Sequence, residues 1–400
     1  MNNNTHLNNN LRVCVIGGGN AAHALAALLP SRGIATNVLA SHGDEAERMA
    51  KGVAEQGHIV AEFAEHNNPS GTVIGTPDRI SAHAADVVPG SDILILPLPS
   101  FAYASVLKEL KPYLRKGMYI GVTPGQGGFD WVAREVLGDM VDNLVLFAIL
   151  PMPFNCRITD YGKRVEVQEL KSRYRVGVLP ASATDKVIAL NERLFGATES
   201  CGHFLSSTLY PVNAIIHPAR LYTLCKDWQP GDILPENPLF YEQMTHAAGE
   251  LMDALNQELL TIADALTSQG MEDIHVPHIY DFLTRYAYAD SSPNLTTFFR
   301  TNPGYRGFRC PFKEIPDSNG WEPDFSNRYF TEDIPLGLCI YKGVADIVSV
   351  NTPVIDTVIG WAQGHMGKEY ILNGTLSGRH VSETNAPQRF GIHTIEQLNR

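Results

Sequence analysis

A short apolar strand that runs through a glycine turn into an alanine-rich helix constrains this chain more than any other feature. The stretch Val13 to His23 reads VCVIGGGNAAH. Gly17 permits a tight turn, Gly19 allows close approach of a phosphate, and Ala22 allows the helix to pack closely on the strand. An ordinary strand–turn–helix unit has the same pattern. We predict a dinucleotide pyrophosphate site on free helix amides, formed by Gly17, Gly19, Asn20, Ala21 and Ala22.

Length and charge limit the class of protein. The chain has 400 residues, which favours two domains of about 200 residues each. Hydrophobic residues make up 44% and charged residues 18%, which excludes a disordered or coiled-coil protein. The net charge of -12, without a basic patch, argues against nucleic acid or an anionic membrane as a partner.

The cysteines and the N-terminus point to a cytoplasmic protein. The six cysteines show neither a C-x-x-C pair nor the spacing of metal ligands, so we expect reduced thiols and no metal. Residues 1–10 are rich in asparagine and are predicted to be a disordered tail rather than a signal peptide. The longest apolar run, residues 144–154, is broken by Pro151 and Pro153 and is too short to span a bilayer.

Strand-like and helix-like segments alternate in residues 11–205, which predicts a doubly wound α/β domain of the Rossmann type. The predicted strands are 12–16, 36–40, 92–96, 119–122 and 144–150, with 174–179 at the edge of the sheet. The predicted helices are 44–56, 101–114 and 129–137.

The apolar period changes to a helical one in residues 206–400, which predicts an all-helical C-terminal domain. The rhythm is clearest in Met244, Ala248, Leu251, Leu255, Leu259, Ile262 and Leu266. Further helices are predicted at 276–289, 336–350 and 353–366, with Pro277 and Pro353 in first turns. Residues 302–327 lack a period and are predicted to be a long functional loop.

Two segments of this second domain carry candidate catalytic groups. His217 lies among apolar residues near the start of the domain, where its imidazole could act as an acid and a base. A buried structural histidine is the alternative. Asp333 belongs to a nine-residue segment with one cation, two carboxylates and two aromatic rings. The alternative there is a helix beginning at Ile334 with Thr331 as its N-cap.

The chain resembles the opine dehydrogenases, and most closely their invertebrate octopine dehydrogenase branch, from residue 11 to the C-terminus. The matching stretches are the glycine loop with His23, residues 44–48, 156–157, 163–167, 217–219, 327–335, 367–370 and 387–391. The resemblance implies that pyruvate and the amine of an amino acid form an imine, which NADH reduces, with regeneration of NAD in anaerobic glycolysis.

The same resemblance assigns roles to individual residues. It implies that His217 binds the keto oxygen of pyruvate and that Asp333 orients His217. It places Arg328 at the cofactor pyrophosphate, so that the cofactor binds first. Further positions implied by the resemblance are Pro99 at the cofactor and Gln126 and Cys156 at the substrate. Gln126 is otherwise a solvent-facing turn residue.

The cofactor is expected to be NADH rather than NADPH, chiefly from the resemblance. An acidic residue about 20 positions beyond the glycines would mark NAD, but Asp44 comes three residues late. No pair of arginines stands there for a 2′-phosphate.

The chain departs from octopine dehydrogenase where the amino acid should bind. Asn213 replaces a tyrosine, Phe282 replaces a tryptophan, and Pro151 replaces a threonine. A flat guanidinium gains from an indole face, so a small or neutral amine is expected instead, such as taurine, alanine, β-alanine or glycine.

Two other functions share these features. A hydroxyacid or glycerol-3-phosphate dehydrogenase would have the same glycine loop but would reduce a ketone without an amine. A non-catalytic NADH sensor would bind the cofactor without turnover. We expect a monomer, because the sequence has no obvious exposed apolar stripe.

Overall fold

Two units make up the chain, one ending at Ser207 and the other beginning at Thr208. The structure is a computed structural model that describes residues 11–287, 292–316 and 318–399. The predicted tail, residues 1–10, lies outside the described residues.

The strands of the N-terminal unit form two sheets. In chain order they are β1 (Arg12–Ile16), β2 (Ala35–Leu39), β3 (Ile59–Phe63), β4 (Gly71–Gly75), β5 (Arg79–Ser81), β6 (Ile93–Leu96), β7 (Tyr119–Val122), β8 (Val145–Leu150), β9 (Phe154–Asp160), β10 (Arg164–Leu170), β11 (Arg173–Leu179) and β12 (Ala197–Ser200). The larger sheet has the order β12-β11-β8-β7-β6-β1-β2-β5. Its strands from β8 to β5 are parallel, as expected for a doubly wound α/β domain.

Helices connect these strands. They are α1 (Asn20–Ser31), α2 (Glu45–Gln56), α3 (Ala84–Val87), α4 (Tyr103–Leu110), α5 (Phe129–Leu137) and α6 (Thr184–Leu194), and a further helix, α7 (Phe204–Thr208), includes the last residues of the unit and the first residue of the next. The predicted bounds of β1, β7 and α5 are confirmed at both ends. The prediction that residues 174–179 form the edge strand is wrong, because β12 pairs outside β11. β12 reads ATES, too short and polar to be recognised as a strand.

A second sheet, which the sequence did not predict, lies on the other side of α1. Its strand order is β4-β3-β10-β9. α1 contacts both sheets, and all its residues from 21 to 29 are buried. A helix covered on both faces must be apolar all round, which explains its run of alanine and leucine.

The C-terminal unit is mainly helical. Its helices are α8 (Asn213–Cys225), α9 (His246–Ser268), α10 (Ile279–Phe282), α11 (Leu295–Thr301), α12 (Arg328–Thr331), α13 (Cys339–Val348), α14 (Pro353–Met366) and α15 (Ile395–Leu398). α9 packs against α8, α11, α13 and α14. The predicted apolar rhythm is confirmed within α9, because its members from Ala248 to Leu266 are buried except for the half-buried Leu251, and the buried Met244 lies just before the helix. Pro353 begins α14, as predicted.

Three predictions for this unit are wrong in detail. The stretch 302–327 is not only loop, because β13 (Phe312–Ile315) and β14 (Gly320–Pro323) pair as an antiparallel hairpin. Pro277 precedes its helix, because the His278 side chain accepts from the N–H of Tyr280 as N-cap. The helix predicted at 276–289 begins only at Ile279 and continues from Leu283 to Ala287 as a π-helix. Residues 288–289 of that prediction lie outside the described residues. The sequence did not reveal β13 and β14, because strands of four residues are too short to show an alternating pattern.

All six cysteines are free thiols. Burial raises the pKa of Cys14, Cys156, Cys201 and Cys225 to about 12 and that of Cys310 to about 11. Burial also raises the pKa of the Cys339 thiol. Among the helices of the described residues, none is both long and apolar enough to cross a membrane.

Candidate active site

The glycine loop follows β1 at the point where the order of the parallel sheet reverses, between β1 and β6. Gly17 has φ +121°, and a Cβ on it would lie 2.9 Å from Cδ2 of Leu98. Gly19 is the N-cap of α1, and a Cβ on it would meet no described atom within 4 Å. The loop therefore leaves open space before the first amides of α1. These residues fit a pyrophosphate, which such a helix start binds.

Two hydrogen bonds join the glycine loop to the hairpin formed by β9 and β10. The Asn20 side-chain oxygen accepts from the N–H of Ile158 at 2.9 Å. The Tyr161 hydroxyl donates to the carbonyl of Gly18 at 2.9 Å. Asn20, predicted to bind the cofactor, therefore uses this oxygen to hold the loop.

His23 adds two further bonds and is fully buried. Its Nδ1 lies 3.0 Å from the carbonyl oxygen of Gly19, and its Nε2 accepts from the N–H of Gly162 at 2.9 Å. This pattern assigns the hydrogen to Nδ1, so His23 is neutral. Burial lowers the pKa of His23 to about 4, which agrees with that assignment.

Other predicted residues follow neighbouring strands at the same edge of the sheet. Pro99 lies just after β6, and Gln126 lies between β7 and α5. Oε1 of Gln126 is buried and has no hydrogen-bond partner among the described residues. The side chains of Ala21 and Ala22 are buried, so they can serve a cofactor only through their backbone amides.

A carboxylate that the sequence did not point to lies at the end of β2. The Ser41 hydroxyl donates to Glu109 of α4 at 2.8 Å. Asp44 instead pairs with Arg48 at 2.9 Å. Only the folded sheet reveals Glu109, because it is 68 residues away from Ser41 in the chain.

The C-terminal unit brings His217 and Asp333 together. Nδ1 of His217 lies 2.7 Å from Oδ2 of Asp333, and both side chains are 5% exposed. His217 lies in the second turn of α8, and Asp333 lies between α12 and a π-helix, Ile334–Leu338. A carboxylate at this distance accepts the Nδ1 hydrogen and leaves Nε2 for proton exchange.

Aromatic rings surround this imidazole. Tyr329 stacks on His217 with ring centroids 3.9 Å apart, and Phe240 meets it edge-on at 5.4 Å. The hydroxyl of Tyr241 lies 3.3 Å from Nε2 of His217. Sequence reasoning missed Tyr241 because it lies 24 residues from His217 in an irregular segment.

The helix start near Asp333 is capped by Asn327 and not by Thr331. Asn327 is the N-cap of α12, and its side chain accepts from the N–H of Tyr329 at 3.1 Å. Thr331 instead ends α12, so the prediction of Thr331 as an N-cap is wrong. Asn327 already supplies the capping oxygen that starts the helical turn. Asp333 uses its carboxylate for His217 rather than for a helix start.

The remaining predicted site residues occupy varied environments. Asn213 begins α8 one turn before His217, on the same face, and is half-buried. Phe282 is 2% exposed and packs edge-on against Tyr210. Cys156 is half-buried in β9 of the second sheet. Arg328 is exposed at the start of α12, beside Tyr329.

Comparison with known proteins identifies relatives over nearly the whole chain. Residues 200–366 match the family "NAD/NADP octopine/nopaline dehydrogenase, alpha-helical domain", and residues 12–125 match "NADP oxidoreductase coenzyme F420-dependent". Tauropine dehydrogenase of Arabella iricolor is 33% identical over 97% of this chain and 99% of its own. Octopine dehydrogenase of Pecten maximus is 33% identical over 97% of this chain and 98% of its own.

A solved structure agrees with these relatives. The structure of octopine dehydrogenase with NADH and L-arginine superposes with a TM-score of 0.85 at 32% identity, covering 97% of both chains. The chain therefore belongs to the octopine dehydrogenase family and is an oxidoreductase of the opine dehydrogenase type.

Proposed function

We propose that this chain catalyses the NADH-dependent reductive condensation of pyruvate with the amine of an amino acid. The observation that carries the proposal is the buried His217–Asp333 pair, with its bond of 2.7 Å. We also propose that residues 11–205 bind the dinucleotide and that residues 206–400 supply the catalytic pair. The reaction would regenerate NAD for anaerobic glycolysis.

The proton chemistry follows from the tautomer of His217. When protonated, Nε2–H donates to the keto oxygen of pyruvate and makes its carbon more electrophilic for attack by the amine. The imidazole then takes a proton from the amine nitrogen of the carbinolamine and gives it to the leaving hydroxyl, so that water departs and a protonated imine remains. Asp333 stabilises the imidazolium and keeps the Nδ1 hydrogen in place.

NADH, when bound, supplies the hydride that reduces the imine carbon. Gly17 and Gly19 give its pyrophosphate close access to the first amides of α1, and Ala21 and Ala22 contribute backbone only. Arg328 keeps its proposed role towards the cofactor phosphates, supported by its exposed guanidinium. The carboxylate of Glu109 beside Ser41 favours NADH over NADPH, because it repels a 2′-phosphate.

The amino acid is proposed to be small or neutral. Asn213, one turn before His217, offers an amide instead of an aromatic ring. Phe282 is packed in the interior against Tyr210, so its face is not available to a guanidinium. Taurine, alanine, β-alanine and glycine are the candidates, and the products would be tauropine, alanopine, β-alanopine and strombine. Arginine, giving octopine, is the disfavoured substrate.

A panel of amino acids tests the function. NADH oxidation should require pyruvate and an amino acid together, and kcat/KM should be higher with a small neutral amine than with arginine. His217→Ala should lower kcat by about a thousandfold while leaving NADH binding intact. Equal or better turnover with arginine would exclude the proposed amine class.

The same assay separates the two alternative functions. A ketone-reducing dehydrogenase would oxidise NADH with pyruvate alone. A non-catalytic sensor would bind NADH before and after His217→Ala and would turn over in neither case. Product identification by mass spectrometry distinguishes an opine from a hydroxyacid.

The proposal also covers the location and the oligomeric state of the protein. We propose a cytoplasmic monomer, supported by six free thiols, since disulfides are rare in reducing compartments. Light scattering at working concentrations should give a mass near 43.9 kDa, and a mass of twice that value would contradict the monomer.

A further inference from the structure

Both nitrogens of His217 have hydrogen-bond partners, a carboxylate at Nδ1 and a phenol hydroxyl at Nε2. Asp333 accepts from Nδ1, so Nε2 carries the lone pair and accepts from the Tyr241 hydroxyl at 3.3 Å. The length of this second bond makes it easier to exchange than the 2.7 Å bond to Asp333.

Tyr241 is a hydrogen-bond donor and not a base in this environment. Its side chain is buried, with Tyr305 at 4.4 Å and Phe240 at 4.7 Å between ring centroids. Burial raises the pKa of Tyr241 well above its ordinary value, and the nearby Tyr329, Tyr305 and Asp333 add to the rise. The phenol therefore stays protonated near neutral pH.

The backbone that carries Tyr241 is held by the same helix that carries His217. Arg220 of α8 is buried, and its Nε–H donates to the carbonyl of Phe240 at 3.1 Å. The N–H of Phe240 donates to the carbonyl of Phe308 at 2.7 Å. Breaking either bond would leave a buried polar group without a partner, which costs free energy. These bonds therefore fix the position of Tyr241 relative to His217.

We propose that Tyr241 is a positioning residue: its hydroxyl holds Nε2 of His217 in plane and in the correct tautomer until Nε2 takes up a proton and donates a hydrogen bond to the keto oxygen of pyruvate instead. This inference rests on the proposed function and adds Tyr241 as a positioning residue for the His217–Asp333 pair. It follows that the resting imidazole is already oriented when substrate arrives, and that protonation of Nε2 replaces the bond it accepts from Tyr241 with a bond that it donates to pyruvate.

Tyr241→Phe tests the proposal because it removes the hydroxyl and keeps the ring. Tyr305→Phe is the matched control, since it makes the same change in the neighbouring ring. We expect Tyr241→Phe to lower kcat by about tenfold or more, as a loosened catalytic group does, with an unchanged Kd for NADH. We expect the control to keep kcat within about twofold of the unmodified protein.

Nitrogen-15 NMR of the histidine side chains supplies a readout that is independent of turnover. The Nε2 resonance of His217, identified by its loss in His217→Gln, should move in Tyr241→Phe and stay in place in Tyr305→Phe. An unchanged Nε2 resonance, or an unchanged kcat, in Tyr241→Phe would overturn the inference.

The unmodified protein gives a second test that needs no variant. Saturating pyruvate added to the NADH complex should move the Nε2 resonance, because Nε2 changes from accepting the hydroxyl hydrogen to donating to the keto oxygen, and a fixed resonance would also overturn the inference. Failure of the proposed function is recognised separately, because the unmodified protein would then not condense pyruvate with any amine.

Discussion

A single carboxylate decides which nitrogen of His217 can exchange a proton. Asp333→Asn should lower kcat by about a thousandfold or more, because the amide can donate to Nδ1 and stabilise the wrong tautomer. The measurement is steady-state NADH oxidation with pyruvate and the preferred amino acid. Asp281→Asn, an exposed position on α10, is the control and should keep full activity. Comparable loss in both variants would show that the effect is not specific to the pair.

A second histidine, His23, makes the N-terminal unit sensitive to acid. Its folded pKa of about 4 lies below the value of about 6.5 in an unfolded chain, so the unfolded state binds the extra proton between them. The contribution of neutral His23 to the free energy of unfolding is fully present above pH 6.5 and is lost as the pH falls towards 4. Between pH 7 and pH 5 the loss amounts to about 2 kcal/mol.

Hydrogen exchange of the α1 amides at both pH values, corrected for intrinsic rates, measures this loss. His23→Gln should flatten the pH dependence, whereas His42→Gln, at an exposed position, should leave it unchanged. An equally steep dependence in His23→Gln would show that another group titrates.

At the scale of elements, the glycine loop separates a folding requirement from a binding requirement. Gly17→Ala places a Cβ at φ +121° and 2.9 Å from Leu98, so it should lower the free energy of unfolding by about 1–3 kcal/mol. Gly19→Ala meets no described atom within 4 Å and should leave the free energy of unfolding nearly unchanged. It should nevertheless weaken NADH binding, because the Cβ enters the space where the phosphates approach.

Denaturant unfolding and NADH titration of the two glycine variants together check this prediction. Gly19→Ala with unaltered NADH affinity would contradict the assignment of the pyrophosphate site to this turn.

Elements with a long periodic pattern were predictable from the sequence, and elements defined by their partners were not. α9 and α14 carry an apolar period that is set by the face that they bury, and β1 carries a continuous apolar run before the glycine turn. β9 and β10 are recognisable only once they pair, because polar residues interrupt their alternation. The π-helix after Asp333 likewise depends on tertiary packing rather than on local propensity.

At the scale of the whole molecule, the sequence indicated the class of each unit but not the contacts that build the candidate site. His217 and Asp333 are 116 residues apart, and no local pattern relates them. The resemblance to the opine dehydrogenases supplied that pairing. Tyr241 and Glu109 matched no motif, and they became visible only when the folded chain placed them beside His217 and Ser41.

The cysteine thiols give each unit three sites for chemical labelling. Cys14, Cys156 and Cys201 belong to the N-terminal unit, and Cys225, Cys310 and Cys339 belong to the C-terminal unit. A thiolate reacts with iodoacetamide far faster than a thiol, so the raised pKa values of all six, together with the burial of every one except the half-buried Cys156, slow their alkylation while the chain is folded. Pulsed alkylation followed by peptide mass spectrometry would therefore time the opening of the two halves separately, in one experiment and without any engineered probe.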